Sequence, residues 1–140
     1  MPEQPQTYAN HVHRPRAWIV TWLIAAIAFV LFAVQAFLEP GDTSFALLAL
    51  AGVVLSTVSL LRQFSLRLQN RIIQLEMQVR LARLGLDRDL ARLTLAQLIA
   101  LRFAADAELP ALIARALSEG LTPDQIKRAV KDWQGDYLRT

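Results

Sequence analysis

Two long uncharged stretches, separated by four residues, dominate the first half of the chain. They cover residues 17–38 and residues 43–61. At 1.5 Å per residue they would be about 33 Å and about 28 Å long as helices, close to the roughly 30 Å hydrocarbon core of a bilayer. The residues between them read Glu-Pro-Gly-Asp (39–42), in which Pro-Gly ends a helix and the two acids stay in water. The pattern predicts an all-α membrane protein that begins with a two-helix transmembrane hairpin.

Two other interpretations of the apolar stretches fit the sequence less well. A signal peptide has an apolar region of only about 7–15 residues and is not followed at once by a second span. The helices of a buried soluble hairpin would carry polar stripes, and neither stretch does. Arg14 and Arg16 precede the first stretch, Arg62, Arg67 and Arg71 follow the second, and the turn contains neither Arg nor Lys. The positive-inside rule therefore predicts a multi-pass protein of the inner (cytoplasmic) membrane with both termini in the cytoplasm.

Small residues recur at helical spacing along each predicted span. The second span carries Ala49, Gly52, Ser56 and Ser59, and the first carries Thr21, Ala25 and Ala28. Such residues let helix backbones approach closely. We favour packing of the two faces on each other. The alternative is that Gly52 and Ser56 receive a helix from another protein.

The second predicted span has no sequence signal that would end its helix at the membrane. Residues 53–84 contain neither Gly nor Pro, and Gly85 is the next helix stop, so one helix is predicted from about residue 45 to residue 84. Beyond the span, apolar residues recur in steps of three and four. The core of this seam is Phe64, Leu68, Ile72, Leu75 and Val79. We expect it to be covered either by the chain's own C-terminal helices or by another helix in a coiled coil.

Arginine accompanies the seam. Residues 62–102 hold eight Arg and three acids, a net charge of +5. The members nearest the span, Arg62, Arg67 and Arg71, are predicted to contact anionic lipid or a partner, together with Trp18 and Trp22 at the start of the first span. Phe64 is the single aromatic residue of residues 62–102 and no reading motif is present, so nucleic acid is not the expected partner.

The C-terminal region shows helix-start signals. Thr94 with Gln97, and Thr122 with Gln125, fit the capping box, and Asp106 is a candidate N-cap. The signals predict helices near residues 95–105, 107–119 and 123–133, after a short turn at residues 87–93. The predicted organisation is a flexible N-terminus (1–16), the hairpin (17–61), an extension of its second helix (62–84) and a helical cap (85–140).

Composition points away from catalysis. The chain is 54% hydrophobic and 19% charged, has a net charge of +3 and contains no cysteine, so it has no thiolate and no disulfide. His11 and His13 are the only histidines and, without a third ligand, make a weak metal site. Neither span contains an ionisable residue, and no nucleotide-binding or nucleophile motif is present. We predict no enzyme activity, no catalytic residue, no metal and no cofactor.

Three segments resemble a bacterial family of uncharacterised small membrane proteins. They are QNRIIQLEMQVRL (69–81), LTLAQLIALRFAADAELPALIARAL (93–117) and LTPDQIKRAVKDWQGDY (121–137). The resemblance covers roughly residues 15–139. It implies two N-terminal transmembrane helices, a helical cytoplasmic C-terminal region and a bacterial inner-membrane location, but no activity.

Two functional hypotheses follow. In the first, the chain is a structural or accessory subunit, or an assembly factor, of a larger membrane complex, whose respiratory, photosynthetic or transport type the sequence does not distinguish. Its partners would be other integral membrane proteins and anionic lipid. In the second, it is a membrane-anchored adaptor that recruits a cytoplasmic protein or nucleic acid through the Arg-rich helix and the C-terminal helices. Self-association through the seam is compatible with both.

Overall fold

The computed structural model describes residues 5–10 and 15–136, and over these residues the chain is all-helical, with no β-strand. Its α-helices are α1 (Arg16–Leu38), α2 (Asp42–Arg83), α3 (Leu95–Leu101), α4 (Leu109–Ser118) and α5 (Pro123–Ala129), with a 3-10 helix at Asp87–Arg92. The chain divides into two compact units. Residues 15–67 form the hairpin unit, and residues 5–10 and 68–136 form the cap unit.

The predicted uninterrupted helix is confirmed, because α2 runs for 42 residues. It ends where Gly85 adopts a left-handed conformation, with φ of 69°. The Leu86 N–H then donates to the Leu81 carbonyl at 2.8 Å, and the Gly85 N–H donates to the Ala82 carbonyl at 3.1 Å. These two bonds satisfy carbonyls that the end of a helix would otherwise leave unpaired.

Within the hairpin unit, small side chains are the buried ones. Ala25 and Ala36 of α1 and Ser44 and Ala51 of α2 are each at most 7% exposed. The Ser44 hydroxyl donates to the Glu39 carbonyl at 2.8 Å, which fixes the turn between the helices. The large apolar side chains of both helices point outward instead. The hairpin unit therefore has an apolar surface and almost no hydrophobic core.

The core of the cap unit combines one stripe of α2 with the three C-terminal helices. The stripe, called here the cap-facing stripe, consists of Ile73, Met77 and Leu81, each at most 4% exposed and four residues apart. The largest fully buried side chains from the other helices are Leu101, Leu109, Ile113 and Ile126. All seven belong to one hydrophobic cluster. This end of α2 is therefore part of the fold of the cap unit.

Both predicted capping boxes are confirmed. The hydroxyl of Thr94 accepts from the Gln97 N–H at 3.2 Å, and that of Thr122 accepts from the Gln125 N–H at 3.3 Å. In each box the glutamine side chain accepts in turn from the backbone N–H of the threonine. These contacts set the first residues of α3 and α5.

Two helices end earlier than predicted. Helix α3 stops at Leu101 instead of residue 105, and α5 stops at Ala129 instead of residue 133. The residues that follow pair with each other in an extended conformation: the Gln134 N–H donates to the Phe103 carbonyl at 2.7 Å, and the Ala105 N–H donates to the Asp132 carbonyl at 3.2 Å. Long-range pairing replaces the last helical turn of both.

The start of α4 also differs from the prediction. Asp106 does not cap this helix, because its carboxylate pairs with Arg80 of α2 at 2.6 Å. Glu108 occupies the N-cap position without a capping bond from its side chain. Its carboxylate accepts instead from the backbone N–H groups of Lys131 and Asp132, both at 3.2 Å. Both acids therefore hold loops in place.

Candidate functional site

The seam of α2 is open to solvent. Its members are between half and two-thirds exposed: Phe64 53%, Leu68 62%, Ile72 56%, Leu75 54% and Val79 53%. The expectation that the C-terminal helices cover it is wrong, because they pack on the cap-facing stripe. At 100° per residue that stripe lies about half a turn away from the seam. Phe64 belongs to the hairpin unit and the other four residues belong to the cap unit.

A shallow groove runs beside the cap-unit part of the seam. It encloses about 550 Å³. It is lined by Leu75, Glu76, Val79, Arg80, Arg83, Leu84 and Asp106. The lining thus combines apolar and charged side chains, as does a surface that packs against another helix.

Arg80 is committed to the fold of the cap unit. Its Nε donates to Asp106 Oδ1 at 2.6 Å, its Nη1 to the Arg102 carbonyl at 3.2 Å and its Nη2 to the Ala104 carbonyl at 2.6 Å. The guanidinium thereby ties α2 to the loop between α3 and α4. On sequence alone Arg80 was indistinguishable from the other arginines of the helix, since its partners lie more than twenty residues away.

The arginines predicted to meet lipid or a partner occupy two environments. The guanidinium of Arg62 lies 5.8 Å from the centre of the Trp18 ring, within the hairpin unit. Arg67 and Arg71 are exposed, and within the described residues neither takes part in an ion pair or side-chain hydrogen bond. Arg67 and Arg71 therefore remain available for binding.

Trp18 and Trp22 both reach from α1 to α2. The indole N–H of Trp18 donates to the Val58 carbonyl at 3.2 Å, and that of Trp22 donates to the Ser59 hydroxyl at 3.1 Å. Both indole N–H groups therefore donate within the hairpin unit, while Trp22 remains 37% exposed. Contact of the two rings with lipid head groups or a partner stays a prediction.

The small-residue faces take part only partly in the contact between α1 and α2. Ala25 is buried, and a Cβ on Gly52 would lie 3.5 Å from the Phe29 ring, so Gly52 faces α1. Ala28 and Ser59 are half-buried, whereas Thr21, Ala49 and Ser56 are exposed. The contact is rotated towards Ala51, and Ala49 and Ser56 are left on an open face of α2.

The segment of residues 5–10, predicted to be flexible, packs on α5 and on the residues that follow it. The Tyr8 hydroxyl donates to Asp124 Oδ1 at 2.6 Å, and the Arg128 guanidinium lies 5.0 Å from the centre of the Tyr8 ring. The Asp136 N–H also donates to Gln6 Oε1 at 2.8 Å. The hydrogen bond raises the pKa of Tyr8. The same bond, and next the Arg128 guanidinium, lower the pKa of Asp124.

No local sequence pattern predicts the contact between Tyr8 and Asp124, because the two residues are 116 positions apart.

Within residues 5–10 and 15–136, no group of three or more His, Cys, Asp or Glu side chains could hold a metal ion. His11 and His13, the weak histidine pair of the sequence, lie outside the described residues. The features that stand out are therefore surfaces for contact: the seam, its groove and the exposed sides of α1 and α2.

Comparison with known proteins places the chain in a family but gives it no activity. Searches of the curated proteins and of the solved structures found no match. One family model matches, and it covers residues 1–140, the whole length of the sequence. The chain therefore belongs to a family of unknown function, DUF6526.

Proposed function

We propose that this chain is a non-catalytic, two-span protein of the bacterial inner membrane that serves as a structural or accessory subunit, or an assembly factor, of a larger membrane complex. The observation that carries the proposal is the exposure of its apolar helices. The most apolar 18-residue windows of α1 and α2 have mean hydropathies of 2.5 and 2.2 but are only 6% and 11% buried. A core helix of a soluble protein would be mostly buried, whereas a bilayer accepts such surfaces directly.

The N-terminal contact supports the predicted topology. Tyr8 precedes α1, its partner Asp124 follows α2, and the two side chains touch. If both helices cross a bilayer, their outer ends lie on one side of it. Arg16 and Arg62 mark that end and Glu39 and Asp42 mark the other, so the positive-inside rule assigns the cap unit to the cytoplasm.

The exposed surfaces give the proposed subunit its means of assembly. Ala49 and Ser56 leave an open face of small residues on α2, which suits close approach of a helix from another integral membrane protein. Arg67 and Arg71 supply charge for anionic lipid, at about 1 kcal/mol each. Extensive exposed helical surface of this kind is what a structural subunit needs to bind its neighbours.

Topology is tested by labelling single cysteines, which is clean because the chain has no natural cysteine. Gly41→Cys lies in the turn, where an added Cβ meets nothing within 4 Å, and Ala107→Cys lies on the exposed surface of the cap unit. A membrane-impermeant maleimide should modify G41C in intact spheroplasts and should modify A107C only after permeabilisation. The opposite pattern, or recovery of the chain in the soluble fraction, would refute the membrane assignment.

The accessory role is tested by purification in mild detergent after crosslinking in intact membranes. Stoichiometric recovery of at least one other integral membrane protein, with crosslinks to the α2 face that carries Ala49 and Ser56, is the expected result. Substituting both positions with Leu should remove that protein and leave insertion unchanged. If no other protein is recovered, the chain is not an accessory subunit.

One observation favours the adaptor alternative. Arg67 and Arg71 are exposed and unpaired within the described residues, and Arg83 lines the groove beside the seam. Replacing these three with Gln while keeping Arg80, which the fold needs, should abolish recruitment of an acidic cytoplasmic partner without affecting insertion. Such recruitment should also weaken as salt rises. A partner retained by the triple variant at high salt would contradict the adaptor role.

A further inference from the structure

The cap-unit part of the seam has the register of a parallel coiled coil. From Leu68 the apolar positions follow at Ile72, Leu75, Val79 and Ala82, in steps of four, three, four and three. This is the heptad pattern, with Leu68, Leu75 and Ala82 at d positions and Ile72 and Val79 at a positions. All five side chains are exposed. The a and d side chains of a coiled coil are therefore present on α2, but within the described residues no second helix packs against them.

The opposite face of the helix is already occupied. The cap-facing stripe, which falls at the b, f and c positions, is buried beneath α3–α5. The helix is thus held in shape by its own chain before any partner arrives, so docking does not have to offset the entropy of forming it. A stretch of 15 residues, too short for a stable coiled coil between free peptides, becomes a usable interface on such a support.

The charges that flank the seam are complementary to themselves. Arg71 lies at a g position and Glu76, five residues later, lies at the following e position. In a parallel coiled coil the g residue of one helix faces the next e residue of the other, so two identical copies would form two Arg71–Glu76 pairs. Neither side chain has an ion pair or hydrogen bond elsewhere in the described part of the chain. Glu76 is also the one acid of α2 after Asp42.

We propose that the occupant of the seam is a second copy of this chain, aligned in parallel and in register from Leu68 to Ala82. The inference rests on the proposed function for its orientation, because two copies inserted in one membrane with the same topology present their α2 helices in parallel. Confinement to the membrane also raises the effective concentration of one seam for another. The cap units then lie on the outer sides of the pair, where the cap-facing stripes point.

Disulfide crosslinking in native membranes tests the pairing. Ile72→Cys and Leu75→Cys place a cysteine at an a and a d position, where a parallel pair brings identical residues together. Gln74→Cys, on the same helix about 120° from the middle of the seam, is the matched control. Mild oxidation should give a covalent homodimer of I72C and of L75C, and at least fivefold less of Q74C. Equal yields for the three variants would overturn the proposal.

A charge swap tests the register. Arg71→Glu and Glu76→Arg, each made in the L75C background, replace two attractive pairs by two repulsive ones and should lower the yield of the covalent dimer about fivefold. The double variant R71E/E76R in that background restores both pairs and should restore the yield. Failure of this rescue, or crosslinks from the seam to a different protein, would also overturn the proposal.

The labelling of the G41C and A107C variants separates this inference from the function on which it rests. A correctly inserted chain that gives no seam crosslink refutes the dimer alone. A chain absent from the membrane refutes both.

Discussion

The assignment of the cap unit to one particular face of α2 is open to a direct energetic test. Leu81 is 0% exposed and Leu75 is 54% exposed, although both are leucines on the same helix six residues apart. The two substitutions Leu81→Ala and Leu75→Ala have the same chemistry and nearly the same effect on helix propensity. Any difference between them therefore reports what each side chain touches.

The expected magnitudes differ clearly. Truncating a fully buried leucine removes its transfer free energy and leaves a cavity, which together cost about 3 kcal/mol or more. Truncating a half-exposed leucine leaves no cavity and loses only part of the burial, about 1 kcal/mol or less. The equilibrium constant for opening the cap unit should rise roughly 100-fold or more for Leu81→Ala and roughly fivefold or less for Leu75→Ala, since about 1.4 kcal/mol is a factor of ten.

A buried thiol provides the assay. Ala116 of α4 is 1% exposed, so Ala116→Cys introduces a single cysteine that reacts with maleimide only when the cap unit opens. Labelling rates are compared in detergent with fewer than one chain per micelle, so that contact between copies does not contribute. The acceleration should be far larger for Leu81→Ala than for Leu75→Ala. Equal acceleration, or a larger one for Leu75→Ala, would show that the cap unit does not sit on the cap-facing stripe.

The other predictions concern single contacts of the cap unit, and the same thiol assay applies to two of them. Arg80→Met removes the three hydrogen bonds that the guanidinium donates but keeps the aliphatic stem, and it should destabilise the cap unit by about 2 kcal/mol. The control Arg83→Met should change the stability of the cap unit by no more than about 0.5 kcal/mol. Equal effects of the two substitutions would contradict the role of Arg80 in tying α2 to the loop between α3 and α4. Gly85→Ala places a Cβ on a residue in the left-handed conformation (φ 69°) and should destabilise the cap unit by about 1–2 kcal/mol. Gly85→Asn should recover most of that stability, because Asn tolerates this conformation. If neither variant is destabilised, residue 85 does not adopt the left-handed conformation at the end of α2. The contact between Tyr8 and Asp124 should stabilise the folded cap unit most at intermediate pH. The pKa of Asp124 is lowered, so the stability that its carboxylate contributes is present above the ordinary value of 3.8 and is lost as the pH falls through the lowered pKa. The pKa of Tyr8 is raised, so the stability that its hydroxyl contributes is present below 10.0 and is lost as the pH rises through the raised pKa. Protease cleavage within residues 5–10 should be slowest at intermediate pH and faster at lower and higher pH. Tyr8→Phe removes the hydroxyl that donates to Asp124, so it should abolish the alkaline limb and weaken the acid limb. A cleavage rate independent of pH would refute the contact.

Local signals in the sequence predict the helices well. The absence of Gly and Pro before Gly85 predicts a single α2, and the Thr-x-x-Gln patterns predict the first turns of α3 and α5. Each of these features depends on residues within one or two turns of each other, where spacing alone identifies the partner.

The choice between two apolar faces of α2 is not available from spacing. The seam and the cap-facing stripe are both regular, and the stripe holds only Ile73, Met77 and Leu81. The face of α2 that is buried depends on how α3–α5 pack together and on the position of the carbonyl groups that accept from Arg80. Both depend on residues far along the chain. The same holds for Tyr8, whose site on α5 exists only once the cap unit has folded.

The distance along the chain between Tyr8 and Asp124 has a consequence for biosynthesis. At roughly 5–20 residues per second, a ribosome that has just added Tyr8 would add the next 116 residues, up to and including Asp124, in about 6 to 23 seconds. Both hydrophobic helices are complete well before Asp124 is made. The N-terminal segment can therefore form its contact with Asp124 only after both long helices have been synthesised. A chain truncated before α5 would lack Asp124 and could not form this contact, so its residues 5–10 should be cleaved by added protease faster than those of the full chain.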